Sequence, residues 1–148
     1  MKLILKDAHR YVIRFDYDEE FISVFKDFCE KNGIVAGFFT GLGATSDVDL
    51  QSFDLDTKEY AKQNFKEIME VVNLTGNISK KDAETIIHCH GSFGRENFET
   101  LSGHVSRLIV SATLEVHLTV LDGKMERKLD AFTSLNLMDW VAQFHCFE

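Results

Sequence analysis

The chain has no proline, and no glycine- or serine-rich stretch stands in for one, so nothing in its 148 residues reads as a linker. One domain over residues 1–148 is expected, because this length buries one sizeable core and is short for two. Basic residues are scarce as well. The 16 Lys and Arg against 24 Asp and Glu leave a net charge of −8 and a pI near 5.2, with no basic tract longer than Arg127-Lys128. Nucleic-acid affinity rests largely on cations neutralising phosphates, which argues against autonomous DNA binding. Cysteine supplies only Cys29, Cys89 and Cys146, an odd number with no short spacing. That excludes a disulfide framework and fits a reducing compartment. No run approaches the ~20 apolar residues of a membrane helix. Met1 to Asp7 has too short an apolar run, with charge too early, for a secretory leader. The expectation is a soluble cytoplasmic protein.

What is present is apolar and mostly β-patterned: 45% of residues are hydrophobic and 13 are phenylalanine. Arg10 to Phe15 is β-branched and aromatic and reads as a strand. Phe21, Ile22, Phe25, Phe28 and Cys29 fall at helical spacing, with acidic residues at the start and Lys31-Asn32-Gly33 at the end, which predicts one amphipathic helix. Ile34 to Ala44, punctuated by Gly37, Gly41 and Gly43, reads as a buried strand with bends where another backbone comes close. It lacks the full G-x-G-x-x-G and the Lys-Ser/Thr of a phosphate loop. Asp47 to Leu55 alternates as a strand with one solvated face, Glu59 to Phe65 as a short strand and turn, and Lys66 to Ile78 as a strand in which Glu70 opens an inward apolar stretch. Lys80 to Glu84 is a charged turn. Gly91 to Glu99 reads as a mobile polar loop, Val105 to Val110 and Ala112 to Leu121 as two strands, and Leu121 to Lys124 as a hairpin turn. Arg127 to Asp130 is strand or loop, and Leu135 to Phe147 holds a short helix. Many strands with one good helix indicate an α+β fold, mostly antiparallel β-sheet.

The chemistry concentrates in Thr85-Ile86-Ile87-His88-Cys89-His90 and Ser102-Gly103-His104-Val105. On a strand, His88 and His90 share one face and Cys89 takes the other. Two imidazoles from one strand and a third, His104, from the start of the next match a site with three protein ligands and an open fourth position. Imidazole nitrogen suits several divalent transition metals, among which zinc leads. The alternative is a set of surface or hydrogen-bonded histidines. Glu70 and Glu115, both in apolar runs, are the candidate general acids or bases, with a structural hydrogen bond or subunit contact as the competing role. Arg95 and Arg107 are candidate anion contacts, with plain solvation as the alternative.

In order and spacing, Gly33-Ile34 before the glycine-rich run, Glu70 with Leu74-Thr75-Gly76-Asn77-Ile78, His88-Cys89-His90, Gly103-His104 and Glu115 in Thr113-Leu114-Glu115-Val116 resemble the PPC domain (plants and prokaryotes conserved) over nearly the whole chain. That resemblance implies a largely antiparallel sheet, assembly as a homotrimer, and metal ligation by His88, His90 and His104. Bacterial and archaeal members carry a DNA-binding label by association with plant members, whose AT-hooks hold DNA. This chain has no Arg-Gly-Arg-Pro hook, and Ser102-Gly103-His104 stands where the family often has Gly-Gly-His. The same fold group is similar to acetolactate decarboxylase, which holds zinc through three histidines. Two roles follow: a trimeric metal-binding domain acting on a small molecule or anionic ligand at the metal, or an oligomerisation and protein-interaction module of a transcription-associated family without direct DNA contact.

From the charge balance, the isolated chain is expected to bind AT-rich duplex no tighter than micromolar at physiological salt. A gel shift showing sub-micromolar affinity would overturn this.

Overall fold

The computed structural model describes residues 1–139. In chain order they form β1 (Lys2–Asp7), β2 (Arg10–Asp16), α1 (Phe21–Lys31), β3 (Gly37–Asp54), β4 (Glu59–Phe65), β5 (Met69–Lys81), β6 (Glu84–Gly94), β7 (Thr100–Val120), β8 (Glu126–Leu129) and β9 (Asn136–Asp139). All ladders are antiparallel except the single β5·β8 pairing, Lys80 with Glu126. The described residues are therefore mostly antiparallel sheet with one helix, as the patterning indicates. None of the described helices is long and apolar enough to cross a membrane.

The helix forms where the apolar residues recur at helical spacing. The Glu20 carboxylate caps it, accepting from the backbone N–H of Ile22 at 3.1 Å and of Ser23 at 2.7 Å. Of the acidic residues at the start of the helix, Glu20 is thus the cap itself. Past the C-terminus, Gly33 takes φ +66°, a conformation in which a Cβ is disfavoured. Phe21, Phe25, Phe28 and Cys29 are buried. Phe21 meets Phe15 of β2 at 5.1 Å and Phe25 meets Phe39 of β3 at 5.0 Å, both edge to face. This aromatic cluster ties the helix to the sheet.

β3 and β7 run alongside each other for most of their lengths. β3 pairs with β5 over its first half and with β4 over its second, while β6 bridges β5 and the start of β7. The circuit β3–β5–β6–β7–β3 therefore closes on itself. Closure demands bends, and the register shifts around Gly41, Gly43 and Thr45 supply them. At Gly43 a Cβ would collide with the Thr113 carbonyl and lie 2.7 Å from Leu114 Cα. The two strands expected on either side of residues 45–46 are consequently one bent strand, and likewise the two expected across Ser111 merge into β7.

Three further expectations need correction. The polar stretch 91–99 is mostly ordered: β6 continues through Gly94, and the turn that follows is closed by Arg95 N–H to Glu99 O at 2.9 Å and Phe98 N–H to Arg95 O at 2.8 Å. Leu121 to Lys124 is no hairpin turn, because β2 and β3 already occupy both edges of β7 where it ends. β8 must pair elsewhere, and it joins β5 and β9. Of Leu135 to Phe147, expected to hold a short helix, Asn136–Asp139 is strand β9, and residues 140–147, Cys146 included, lie outside the described residues.

Gly76 on β5 faces the tightest approach in the closed circuit. A Cβ there would strike the His88 carbonyl and lie 2.5 Å from the Phe39 ring and 2.7 Å from Cys89 Cβ. Overpacking of this kind costs about 1–3 kcal/mol or more. Gly76→Ala is expected to lower stability by at least that much in urea titration, and a change below about 0.5 kcal/mol would contradict the packing.

Candidate metal centre

Side-chain alternation along β6 sends Thr85, Cys89 and Phe93 into the core and His88, His90 and Ser92 to the opposite face. β7 pairs antiparallel with β6 and sets His104 directly across from His90, the closest relation two strands offer. The three rings form a nearly equilateral triangle, with centroids 5.2 Å (His88–His90), 5.1 Å (His88–His104) and 5.3 Å (His90–His104) apart. One ring nitrogen from each lies within 4.8 Å of the others. A tetrahedral ion about 2.1 Å from each nitrogen would hold its ligands about 3.4 Å apart. Small side-chain rotations therefore suffice, and the three histidines fit such an ion.

Burial, the Arg127 guanidinium and the neighbouring histidines together push the His88 pKa down to about 4. His104 is lowered as well, again by burial first, then by His90 and Arg127. Neutral imidazole is the form that donates to a metal. Cys89 is excluded as a ligand. Its sulfur lies in the core, and burial, with the Glu20 charge adding, pushes its thiol up to about 12. Gln51, Ser52, Phe53, Tyr60 and Leu135 line a cleft on one side of the histidines, and Phe38, Thr75 and Asn77 line another.

The other candidate residues are placed elsewhere. Glu70 is exposed on the outward face of β5, paired with Ala44 and Gly94, so the inward reading of that stretch is wrong there. It lies about 17 Å along the strand from Thr75, the partner of His90, at ~3.3 Å per residue. Glu115 is exposed on the far half of β7 between Arg14 and Leu42. Neither carboxylate joins the histidines: both apolar runs alternate, and each glutamate occupies a solvent-side position. Arg95 is engaged with Glu67 at 2.8 Å and Arg107 with Asp47 at 2.9 Å. The arginine that does reach the site is Arg127, with Nη2 3.2 Å from His88 Nδ1. No sequence signal marks it, because only the long-range β5·β8 contact brings it there.

The Plants and Prokaryotes Conserved (PCC) domain model matches residues 5–122. A presumed DNA-binding protein of Bacteroides thetaiotaomicron superposes with a TM-score of 0.88 at 30% identity, covering 91% of this chain and 94% of that one. A metal-containing protein of Archaeoglobus fulgidus does so at 0.85 and 30% identity, covering 95% and 100%. Acetolactate decarboxylase of Bacillus subtilis shares the fold more distantly, with a TM-score of 0.56 at 15% identity over 78% of this chain and 54% of that one. No curated protein matches the sequence.

The depressed His88 pKa links protonation to folding. In the unfolded chain His88 takes a proton near its ordinary 6.5, whereas the fold holds it off until about 4. The unfolded state therefore binds more protons in that window, so stability is lost as pH falls from about 6.5 toward 4. Metal-free protein should show a lower urea midpoint at pH 5 than at pH 7.5, with a smaller drop in His88→Asn. Equal drops in the two proteins would refute the assignment.

Proposed function

The chain belongs to the Plants and Prokaryotes Conserved domain family, and from that premise we propose that His88, His90 and His104 hold one divalent transition metal, zinc before others, in a homotrimer with a small-molecule or catalytic role. The convergence of three imidazole nitrogens within 4.8 Å, two of the rings with pKa values lowered by burial, carries this reading. The metal-containing relative from Archaeoglobus fulgidus supports it. A divalent ion on neutral imidazoles keeps its charge and supplies Lewis acidity at an open position. The protein's part is to fix the three ring positions through the β6·β7 pairing and to present Tyr60, Gln51 and Ser52 along the cleft.

The trimer is supported by the outward sheet face, where Phe38, Leu42 and Val72 stay 50%, 58% and 62% exposed. Large apolar side chains left exposed on one face mark an interaction surface. The same face favours the second reading, an oligomerisation and protein-interaction module without direct DNA contact, in which the histidines are incidental.

Metal analysis of protein purified without an affinity tag separates the two. Close to one ion per chain is expected, with none in His90→Ala, since two ligands make too weak a site, and undiminished metal in Cys89→Ala. Wild-type metal content in His90→Ala, or its loss in Cys89→Ala, would break the assignment. Light scattering at micromolar concentration should return three times the chain mass, and a monomer mass would end the trimer proposal.

A further inference from the structure

Arg127 differs from every other arginine of the chain. Arg10, Arg14, Arg95 and Arg107 each pair with a carboxylate, on Asp7, Asp16, Glu67 and Asp47 respectively. Arg127 is half-buried and, among the described residues, only neutral groups hold it. Nε donates to Ser79 Oγ at 2.7 Å, Nη1 to the Asn136 carbonyl at 2.8 Å, and Nη2 to Asn77 Oδ1 at 2.8 Å, with His88 Nδ1 3.2 Å from the same Nη2. An acidic protein with carboxylate to spare has left this guanidinium, among the described residues, without a counter-charge. A partly desolvated, unpaired charge is costly, and three neutral contacts fix its position.

We infer that Arg127 is the recognition residue for a small oxyanion, carboxylate or phosphate, bound beside the histidines; the inference rests on the metal reading for the ion but not for the guanidinium. Charge balance is its first support. An ion and Arg127 together bring only positive charge, and among the described residues no carboxylate lines either cleft opening onto the histidines. The neutralising group must then be supplied by the ligand.

The lone-pair count of His88 is the second support. A neutral imidazole has one ring lone pair to give, and arginine can only donate. The Arg127 contact uses that lone pair when it falls on Nδ1. If the metal takes Nδ1, it displaces Nη2. If it takes Nε2, the ring proton moves to Nδ1 and faces another donor. Either way Nη2 loses an acceptor when the metal binds, while Ser79, Asn77 and Asn136 continue to hold the guanidinium in place. Arg127 then has a hydrogen available on each of Nη1 and Nη2, the pairing that matches two oxygens of one oxyanion.

Acetate and inorganic phosphate serve as probes, titrated calorimetrically into the full chain in zinc-loaded and metal-free form, with zinc content measured separately. Binding of at least one probe to wild type is expected, about 10-fold or more weaker in Arg127→Gln, the worth of a charge-assisted hydrogen bond, and partly restored in Arg127→Lys. Zinc affinity should stay the same or rise in Arg127→Gln. The probe that binds more tightly tells carboxylate from phosphate, and either preference supports the site. Should wild type take up no zinc, the metal reading falls by itself; Arg127-dependent binding to the metal-free chain would still sustain the oxyanion site. Binding equal in wild type and in a folded Arg127→Gln protein, or binding of neither probe in any form, overturns it.

Discussion

Everything at the site depends on the period-two alternation of β6. One face of that strand must fill the core, and the residues that do so, Thr85, Cys89 and Phe93, fix its register against β5 and β7. A slip of one residue would turn every side chain over, burying His88 and His90 and exposing Cys89. Burial of Phe93 and Cys89 thus determines where the imidazoles point. Gly76 opposite Cys89 and Gly43 at the β3 bend are the concessions that let the sheet close around this register.

With the register fixed, the neighbours set the chemistry. His104 reaches His90 because the turn after Gly94 returns β7 alongside β6. Partial burial, with Arg127 and the neighbouring histidines adding to it, lowers the pKa of both His88 and His104. Among the described residues no carboxylate lines either cleft beside the histidines, in a chain of net charge −8.

The division of faces also accounts for the exposed apolar surface. Helix α1 covers one side of the sheet through its phenylalanines. On the other side Phe38, Leu42 and Val72 have no covering element among the described residues. These side chains occupy alternate positions on strands whose other face is already filled by Phe39, Val71 and Leu74, so the fold has no inward place for them.

Local pattern alone determined a good deal. The helix at 21–31 follows from a phenylalanine stripe at helical spacing, the shared face of His88 and His90 from strict alternation, and the inward Cys89 from the same rule. The glycine punctuation of 37–43 pointed to bends at close backbone approach, which Gly43 makes. Each rests on interactions a few residues long. What spans the sheet was decided only by the tertiary structure. Whether 37–54 is one bent strand or two depends on partners more than 50 residues away, and the pairing of β8 with β5 in place of β7 joins Lys80 to Glu126, far apart in the chain. Glu70 and Glu115 sit in apolar runs that suggest burial, yet which face of a strand is buried is settled by the layer packed against it. Arg127 lies far along the chain from His88, and the β5·β8 contact that joins them leaves no trace in local pattern, because it arises from edges left free after the long strands have paired.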